Sequence, residues 1–290
     1  MNITYSIGDL TITRLGLGTM RMADRPDQRT GPTAPIWAPP TDRTELVTFL
    51  RAAVDSGVDH VDTADAYALG AGEELLAEAL APVRDRITVA TKVGTSRPSP
   101  TEWVPHGRPE YLRQQIELSL RRLRTDRLDL VYLHRIDEAV PLADQLGALK
   151  QAHEEGKVRA LGVSQVTADT LREVTAHVAI QAVQNSYSLG DRTFDDVVDL
   201  TAELGAAFVA FFPLAMGTVA ADDPTVARIA ARHGATRTQV ALAWLLSRGD
   251  HVVPIPGTTS LAHLRDNLGA LRLELTDTDL TDLTELSSPA

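Results

Sequence analysis

Short β-rich segments alternate with amphipathic helical segments along the whole chain, and this alternation is the feature that most constrains the fold. Several short segments are apolar at successive positions, which is typical of strands buried on both faces of a parallel sheet. The predicted strands are Leu15–Leu17, Val58–Asp62, Ile87–Thr91, Leu128–Leu133, Ala160–Val163, Ala179–Val183, Ala207–Phe211 and Val252–Ile255. The predicted helices are Thr44–Ser56, Gly72–Leu80, Pro109–Arg124, Leu142–Glu155, Ala168–Thr175, Thr193–Leu204, Pro224–Arg232, Thr238–Ser247 and Leu261–Ala270.

This order of elements favours one architecture. Eight strands, each followed by a helix, predict a closed (β/α)8 TIM barrel of the α/β class rather than an open doubly wound sheet. Ile3–Tyr5 and Leu10–Thr13 flank a Gly8-Asp9 pair, a pattern that predicts an N-terminal β-hairpin capping the barrel. Barrels of this type commonly form one domain of about 250 residues, so we expect residues 1–290 to form a single domain.

Charge balance and cysteine content argue against several classes of function. The formal net charge is −11, and no basic surface suited to phosphate backbones is evident, so we expect no nucleic-acid partner. The chain has no cysteine, which removes disulfides, thiolate metal sites and cysteine nucleophiles. No apolar run approaches the ~20 residues that span a bilayer. We expect a cytoplasmic protein without membrane association, and the sequence predicts no oligomeric state.

Two loops depart from the short connections of the pattern. Residues 23–43 carry five prolines and Trp37, and residues 94–108 carry three prolines and Trp103. Both loops follow the carboxyl end of a predicted strand, the face where barrel enzymes place their active sites. Proline-stiffened loops that carry aromatic side chains predict substrate lids, with Trp37 and Trp103 lining the substrate pocket.

Four polar residues follow successive predicted strands. The chain has no GxGxxG after a strand, no HExxH, no GxSxG and no His/Asp/Glu cluster at metal-ligand spacing, so we expect no metal. Asp62 and Tyr67 follow the second strand, Lys92 the third and His134 the fourth. Singly, such residues are more often helix caps or packing side chains. Together at the mouth of one barrel, they predict an active site.

The chemistry of these four side chains is complementary. A tyrosine has a pKa near ~10, and a neighbouring ammonium group is expected to lower the pKa of Tyr67 by about 2–3. A carboxylate at Asp62 keeps Lys92 protonated, and His134 can orient a substrate oxygen as charge develops on it. This set suits protonation of an alkoxide, the step that accompanies hydride delivery to a carbonyl.

Four segments resemble the aldo-keto reductase family, and the resemblance covers nearly the whole chain. They are 57–64 with Tyr67 and Glu73-Glu74, 125–134, 158–164, and 256–260 running on to Asp266-Asn267. The resemblance implies a reductase in which Tyr67 is the general acid, Asp62 and Lys92 tune it, and His134 orients the carbonyl. It also implies cofactor contacts at Thr19, Met20, Asp62, Ser164, Gln165, Gln184, Phe211, Phe212, Pro213, Leu214, Gly257, Thr258, His263, Asp266 and Asn267.

The implied cofactor is NADPH, with NADH as a second possibility. His263 and Gly257 stand where many members carry arginine and lysine, so the pocket for the 2′-phosphate has less permanent positive charge. Gln165 stands where asparagine is more usual. The segment Phe212-Pro213-Leu214 is similar to a bacterial branch that contains pyridoxal reductases, which makes a vitamin B6 aldehyde one candidate among small carbonyl substrates.

Two other functions remain open at the level of sequence. One is a lyase that uses Lys92 as a Schiff-base amine, which requires that lysine to be deprotonated. The other is an NADPH-binding sensor or scaffold with little turnover, as in the potassium-channel β subunits. The presence of all four polar residues favours an enzyme over this second alternative.

Overall fold

The computed structural model describes residues 2–23, 35–215 and 223–286. Its strands are β1 (Thr4–Ile7), β2 (Leu10–Thr13), β3 (Leu17–Gly18), β4 (His60–Asp62), β5 (Thr88–Val93), β6 (Thr95–Ser96), β7 (Val104–Pro105), β8 (Leu128–Leu133), β9 (Val158–Ser164), β10 (Ala182–Ser186), β11 (Ala207–Phe211) and β12 (Val252–Pro254). Its α-helices are α1 (Arg43–Asp55), α2 (Ala71–Leu80), α3 (Pro109–Leu123), α4 (Leu142–Glu154), α5 (Ala168–His177), α6 (Asp195–Leu204), α7 (Pro224–His233), α8 (Arg237–Ser247), α9 (Leu261–Gly269) and α10 (Asp277–Thr284).

Eight parallel strands form the barrel in the order β3-β4-β5-β8-β9-β10-β11-β12. The two edge strands then meet: Gly16 donates from its backbone N–H to Pro254 O at 3.0 Å, and Gly18 donates to Pro256 O at 3.3 Å. A Cβ on Gly18 would lie 2.9 Å from the carbonyl oxygen of Ile255, so this close approach requires glycine. The predicted (β/α)8 barrel is confirmed.

The apolar side chains form two layers, inside the barrel and between the strands and the surrounding helices. The β1–β2 hairpin pairs antiparallel and inserts Ile7, Leu10 and Ile12 into the interior cluster, against barrel residues such as Ala90 and Leu130. The hairpin therefore covers one end of the barrel, as predicted, and the other end carries the polar side chains.

Several elements differ from those predicted by periodicity, and two of the differences are informative. The sixth barrel strand begins at Ala182 and runs to Ser186, whereas the prediction was Ala179–Val183. The strand continues through Gln184 and Asn185 because their backbone groups pair with β11, although their side chains are polar. Helix α10 was not predicted; it begins with a capping box in which Thr276 and Asp279 bond to each other's backbone.

The two long loops are described to different extents. Residues 24–34 of the first loop lie outside the described residues. The second loop contains the short antiparallel pair β6–β7, in which Thr95 lies opposite Pro105. Within the described ranges, no helix combines the length and the apolar character needed to cross a membrane.

Candidate active site

The predicted catalytic side chains meet at the carboxyl ends of β4, β5 and β8. Asp62 ends β4, Lys92 is the next-to-last residue of β5, and His134 follows β8, so the parallel register brings them to the same edge of the barrel. Tyr67 arrives from the connection after β4. Three consecutive residues after it have left-handed backbone: Ala68 (φ 49°), Leu69 (φ 53°) and Gly70 (φ 93°). Two of these residues are not glycine, and a positive φ is costly for them. Such strained backbone is typical of functional sites.

A buried ion pair forms the floor of the site. Lys92 Nζ donates to Asp62 Oδ1 at 2.5 Å and to the backbone oxygen of Thr63 at 2.8 Å. The same ammonium lies 3.5 Å from the hydroxyl oxygen of Tyr67. All three side chains are buried. The ammonium group of Lys92 therefore has three oxygen partners and lies beneath the tyrosine.

The two pKa expectations have different outcomes. Burial alone lowers the pKa of Lys92, but Asp62 and Tyr67 outweigh it and raise this pKa above its ordinary value. Lys92 therefore stays protonated, as predicted. The predicted lowering of the pKa of Tyr67 is wrong: burial raises it, Lys92 offsets only part of this, and Asp62 raises it further. The main physical reason is burial, which disfavours the charged phenolate. Lys92 offsets only part of it because its Nζ lies 2.5 Å from Asp62 Oδ1 but 3.5 Å from the phenol oxygen.

His134 is a neutral imidazole. Burial lowers its pKa well below the ordinary value, and the positive charges of Lys92, Arg135 and Arg97 lower it further. The ring lies 6.1 Å from the ring of Tyr67 and 6.2 Å from that of Trp103, in edge-to-face arrangements. Trp103 lies 6.3 Å from Tyr67, so three aromatic rings surround one point at the barrel mouth.

A cavity of about 560 Å³ opens above these side chains. It is lined by Gly18, Met20, Arg21, Ile36, Asp62, Tyr67, Lys92, Trp103, His134, Arg135, Ser164, Gln184, Phe211, Phe212, Pro213, Leu214, Ile255, Pro256 and Gly257. The volume is within the range of small-molecule sites. All four predicted catalytic residues line it, as do many residues predicted to contact a cofactor, from Met20 to Gly257.

The remaining predicted cofactor residues are close to the cavity in sequence or structure but do not line it. Thr19 is buried and donates from Oγ1 to the backbone oxygen of Asp62 at 2.9 Å. Gln165 is exposed, with φ 57°, and its Oε1 accepts from Ser186 N at 3.2 Å. Left-handed backbone is more readily adopted by asparagine than by glutamine. Neither residue belongs to the cavity lining.

The predicted cofactor residues near α9 are also outside the lining. Thr258 Oγ1 accepts from Ser260 N at 3.1 Å, and Ser260 in turn caps the helix by accepting from His263 N at 3.3 Å. His263 is exposed, Asn267 is buried, and Asp266 accepts from Thr236 Oγ1 at 2.8 Å. Thr258 and His263 lie at the N-terminal turn of α9, next to the cavity edge formed by Gly257, whereas Asp266 and Asn267 are in the second half of this helix.

Arg97 is a site residue that the sequence did not single out. It donates from its guanidinium to the backbone oxygens of Pro35 (2.7 Å), Pro100 (2.9 Å) and Glu102 (2.8 Å). Its guanidinium carbon lies 3.6 Å from the ring centre of Trp103 and 5.6 Å from that of Trp37. One cation therefore joins the two long loops. Trp37 packs on Arg97 and does not line the cavity, unlike Trp103.

The described residues contain no cluster of three or more histidine or acidic side chains placed to hold a metal ion. The titratable groups of the site are instead a lysine–carboxylate pair, a phenol and a neutral imidazole. This donor set is suited to moving one proton in a dry pocket rather than to coordinating a cation.

A (β/α)8 barrel whose polar residues gather at the carboxyl ends of its strands defines the protein as a barrel enzyme. Residues 14–288 match the model of the Aldo/keto reductase family, and the chain belongs to that family of oxidoreductases. The pyridoxine 4-dehydrogenase of Escherichia coli is 37% identical over 290 residues, covering 98% of each chain.

Solved structures agree with this assignment. A thermostable aldo-keto reductase in complex with the inhibitor epalrestat superposes with a TM-score of 0.87 at 29% identity, covering 99% of this chain and 100% of the other. An aldo-keto reductase from Klebsiella pneumoniae in complex with NADPH superposes with a TM-score of 0.83 at 28% identity, covering 100% and 96%.

Proposed function

We propose that this protein is an NADPH-dependent carbonyl reductase that converts a small aldehyde or ketone to an alcohol, with Tyr67 as the proton donor. The observation that carries the proposal is the buried Asp62–Lys92 pair beneath the Tyr67 hydroxyl, with Lys92 Nζ 3.5 Å from that oxygen. His134 lies beside the same tyrosine in the same cavity. The family assignment and the NADPH complex of the Klebsiella relative support the cofactor.

The cavity has the polar groups and the flat apolar wall that a nicotinamide requires. Ser164 contributes a hydroxyl, and Gln184 contributes an amide oxygen, since its Nε2 already donates to Asp62 at 2.7 Å. Phe211 lines the same cavity and is an aromatic surface on which a ring can stack. At the far edge, Gly257 lines the cavity, and a Cβ there would lie 3.3 Å from Gly18 O, which is tighter than an ordinary contact.

The protein side chains divide the work of proton transfer. When bound, NADPH supplies the hydride. The neutral His134 donates a hydrogen bond to the carbonyl oxygen and fixes its position as negative charge develops on it. Tyr67 keeps its proton at neutral pH because its pKa is raised, and it gives that proton to the alkoxide oxygen, which is a much stronger base than a phenolate. Lys92 then stabilises the phenolate, while Asp62 holds the lysine in place.

The Schiff-base alternative is disfavoured by the state of Lys92. A lysine nucleophile must lose its proton before it attacks a carbonyl. Here Asp62 and Tyr67 raise the pKa of Lys92, and its Nζ is committed to Asp62 and Thr63 O. The protonated amine is suited to electrostatic support of Tyr67 and not to covalent catalysis.

Pyridoxal is the first substrate that we propose to test. The 37% identity to a pyridoxine 4-dehydrogenase and the aromatic mouth formed by Tyr67, Trp103 and Phe211 support a small aromatic aldehyde. Other small aldehydes and ketones belong in the same panel.

The test has a binding step and a turnover step. Tryptophan fluorescence is titrated with NADPH and NADH, and nicotinamide absorbance is then followed with a carbonyl panel that includes pyridoxal. We expect tighter binding of NADPH and carbonyl-dependent oxidation, and we expect Tyr67→Phe to bind NADPH normally while losing most turnover. Undiminished turnover in Tyr67→Phe would show that Tyr67 is not the general acid. Binding without oxidation of any substrate identifies a sensor instead, and no binding of either nucleotide overturns the proposal.

A further inference from the structure

The catalytic end of the cavity contains a guanidinium group without an acidic partner in the described part of the chain. Arg135 follows His134 directly and lines the cavity together with Tyr67 and Ser164. Its Nη1 donates to the backbone oxygen of His134 at 2.5 Å and to Ser164 Oγ at 3.1 Å. Its Nε and Nη2 donate to no residue of the described ranges. One edge of the guanidinium therefore has unused donors.

The two nearest candidates for an internal counter-ion are already committed. Asp137, two positions along the chain, accepts from Gly107 N at 2.9 Å and from Ala139 N at 3.0 Å. Asp62 accepts from Lys92 on one oxygen and from Gln184 on the other. By contrast, the partly buried guanidinium of Arg122 is paired with Glu73 at 2.5 Å. Arg135, which is also only partly buried, has no such acidic partner among the described residues.

The local potential at this position is positive although the protein is acidic overall. Burial lowers the pKa of Arg135, and the group that opposes this effect is Tyr67, which is neutral in the resting site. Arg135, Lys92 and Arg97 together lower the pKa of His134. A partly buried cation without a counter-ion is costly to keep. The cavity lining contains the cations Arg21, Lys92 and Arg135 against the single acidic side chain Asp62, and such an excess of positive charge attracts anionic ligands. The net charge of −11 makes this positive mouth distinct from its surroundings.

We propose that Arg135 binds an anionic group of the substrate, so that the preferred substrates are aldehydes or ketones that also carry a carboxylate or a phosphate. Nε and Nη2 form one edge of the guanidinium, and this edge can donate two parallel hydrogen bonds to the oxygens of a carboxylate or phosphate. The anion then lies against this free edge of Arg135, and the carbonyl group lies against Tyr67 and His134. The proposal rests on the carbonyl reduction proposed above and defines its substrate class.

Matched substrate pairs test this assignment. One pair is benzaldehyde and 4-carboxybenzaldehyde, and the other is pyridoxal and pyridoxal 5′-phosphate, so that the two anions are distinguished. We expect the wild type to favour the charged member of at least one pair. In Arg135→Met, we expect kcat/KM for that member to fall roughly 10- to 100-fold, the effect of losing hydrogen bonds to a charged group, while kcat/KM for the neutral member falls much less. Arg135→Lys keeps the charge without the fork and should be intermediate.

Two controls separate this proposal from a structural role. Arg121→Met removes an exposed arginine on the outer face of α3 and should leave both members of each pair unaffected. An equal loss on charged and neutral substrates in Arg135→Met would mean that Arg135 only positions Ser164, and this result overturns the proposal. The KM of the charged member should also rise with ionic strength.

A binding measurement keeps the proposal testable even if no substrate is turned over. Trp103 lies 6.2 Å from His134, so its fluorescence reports on occupancy of this end of the cavity. We expect benzoate to quench the wild type and to bind Arg135→Met at least tenfold more weakly, whereas benzyl alcohol should not distinguish the two. Equal binding of benzoate to both proteins overturns the proposal, whatever the outcome for carbonyl reduction.

Discussion

Gln184 donates from Nε2 to Asp62 Oδ2 at 2.7 Å, from the opposite side of the barrel to Lys92, which occupies Oδ1 at 2.5 Å. Both oxygens of the buried carboxylate are therefore hydrogen-bonded, by side chains from β5 and β10. The same bond fixes which end of the Gln184 amide faces the cavity. One carboxylate thus orients the ion pair beneath Tyr67 and the amide that we propose for the cofactor.

We expect Gln184→Leu to lower the free energy of unfolding by about 1–3 kcal/mol, because it leaves Asp62 Oδ2 buried without a donor. Urea denaturation measures the loss. Gln151→Leu is the control, since Gln151 is an exposed residue on α4 that donates to Glu155, and its effect should stay within about 0.5 kcal/mol. Equal stability of the two variants would show that the bond to Asp62 contributes nothing.

Lys92→Met should lower the free energy of unfolding by about 3–5 kcal/mol, since it leaves the Asp62 carboxylate buried without its cation. The double variant Asp62→Asn with Lys92→Met removes both charges, and we expect it to be more stable than the single variant while remaining inactive. Thermal and urea unfolding measured beside NADPH oxidation separate the two effects. A double variant no more stable than Lys92→Met would contradict a role for the unpaired carboxylate.

Arg97→Lys keeps a positive charge but loses the planar fork that bonds three loop carbonyls and stacks on Trp103. We expect KM for carbonyl substrates to rise about fivefold, the equivalent of one lost hydrogen bond of ~1 kcal/mol, with a change in tryptophan emission. The Kd of NADPH should change little, because the bonds that hold Arg97 belong to the mouth loops. Arg113→Lys, on the exposed face of α3, is the control. An unchanged KM would show that the loops keep their shape without this clamp.

His60 is the first residue of β4 and is buried, and both of its ring nitrogens are without hydrogen-bond partners among the described residues. Burial lowers its pKa despite nearby Asp62 and Asp59, so the folded state holds it neutral while the unfolded chain protonates near pH ~6.5. Its contribution to stability is complete above that pH and is lost as the pH falls below it. We expect a slope of up to ~1.4 kcal/mol per pH unit that His60→Leu removes.

Urea unfolding at pH 7.5, 6.5 and 5.5 measures that slope. His177→Gln, at an exposed position of α5, should leave the slope as it is in the wild type. If the free energy of unfolding decreases equally with falling pH in the wild type and in His60→Leu, the loss of stability belongs to other groups. His134 and His251 are candidates, since burial also lowers their pKa values.

His263→Arg should tighten NADPH relative to NADH by about 1 kcal/mol, because it adds a permanent charge and a fork donor at the N-terminal turn of α9. Fluorescence titration with both nucleotides measures the preference. His177→Arg makes the same change at an exposed position on another helix and should leave the preference unaltered. If the ratio of the Kd values of NADPH and NADH is the same in His263→Arg as in the wild type, the 2′-phosphate does not bind near this residue.

Much of the barrel was predictable because its strands and helices are encoded locally. The predicted bounds Leu128–Leu133 and Ala207–Phe211 agree with the structure residue for residue. The sixth strand was misplaced because its last residues, from Gln184 onward, are polar, and hydrophobic periodicity stops where a strand enters an active site. Polar strand ends are therefore both the weak point of such predictions and the place where function is found.

The sequence by itself determined the barrel, its hairpin cap and the identity of the four polar side chains at the strand ends. Those features follow from periodicity over a few residues and from the rule that parallel strands end at one face. Only the tertiary structure decided that burial outweighs Lys92 at Tyr67, that Arg97 joins the two loops, and that Arg135 lacks an acidic partner in the described chain. The reason is physical: pKa values and charge compensation depend on burial and on distances of a few ångströms between residues far apart in sequence.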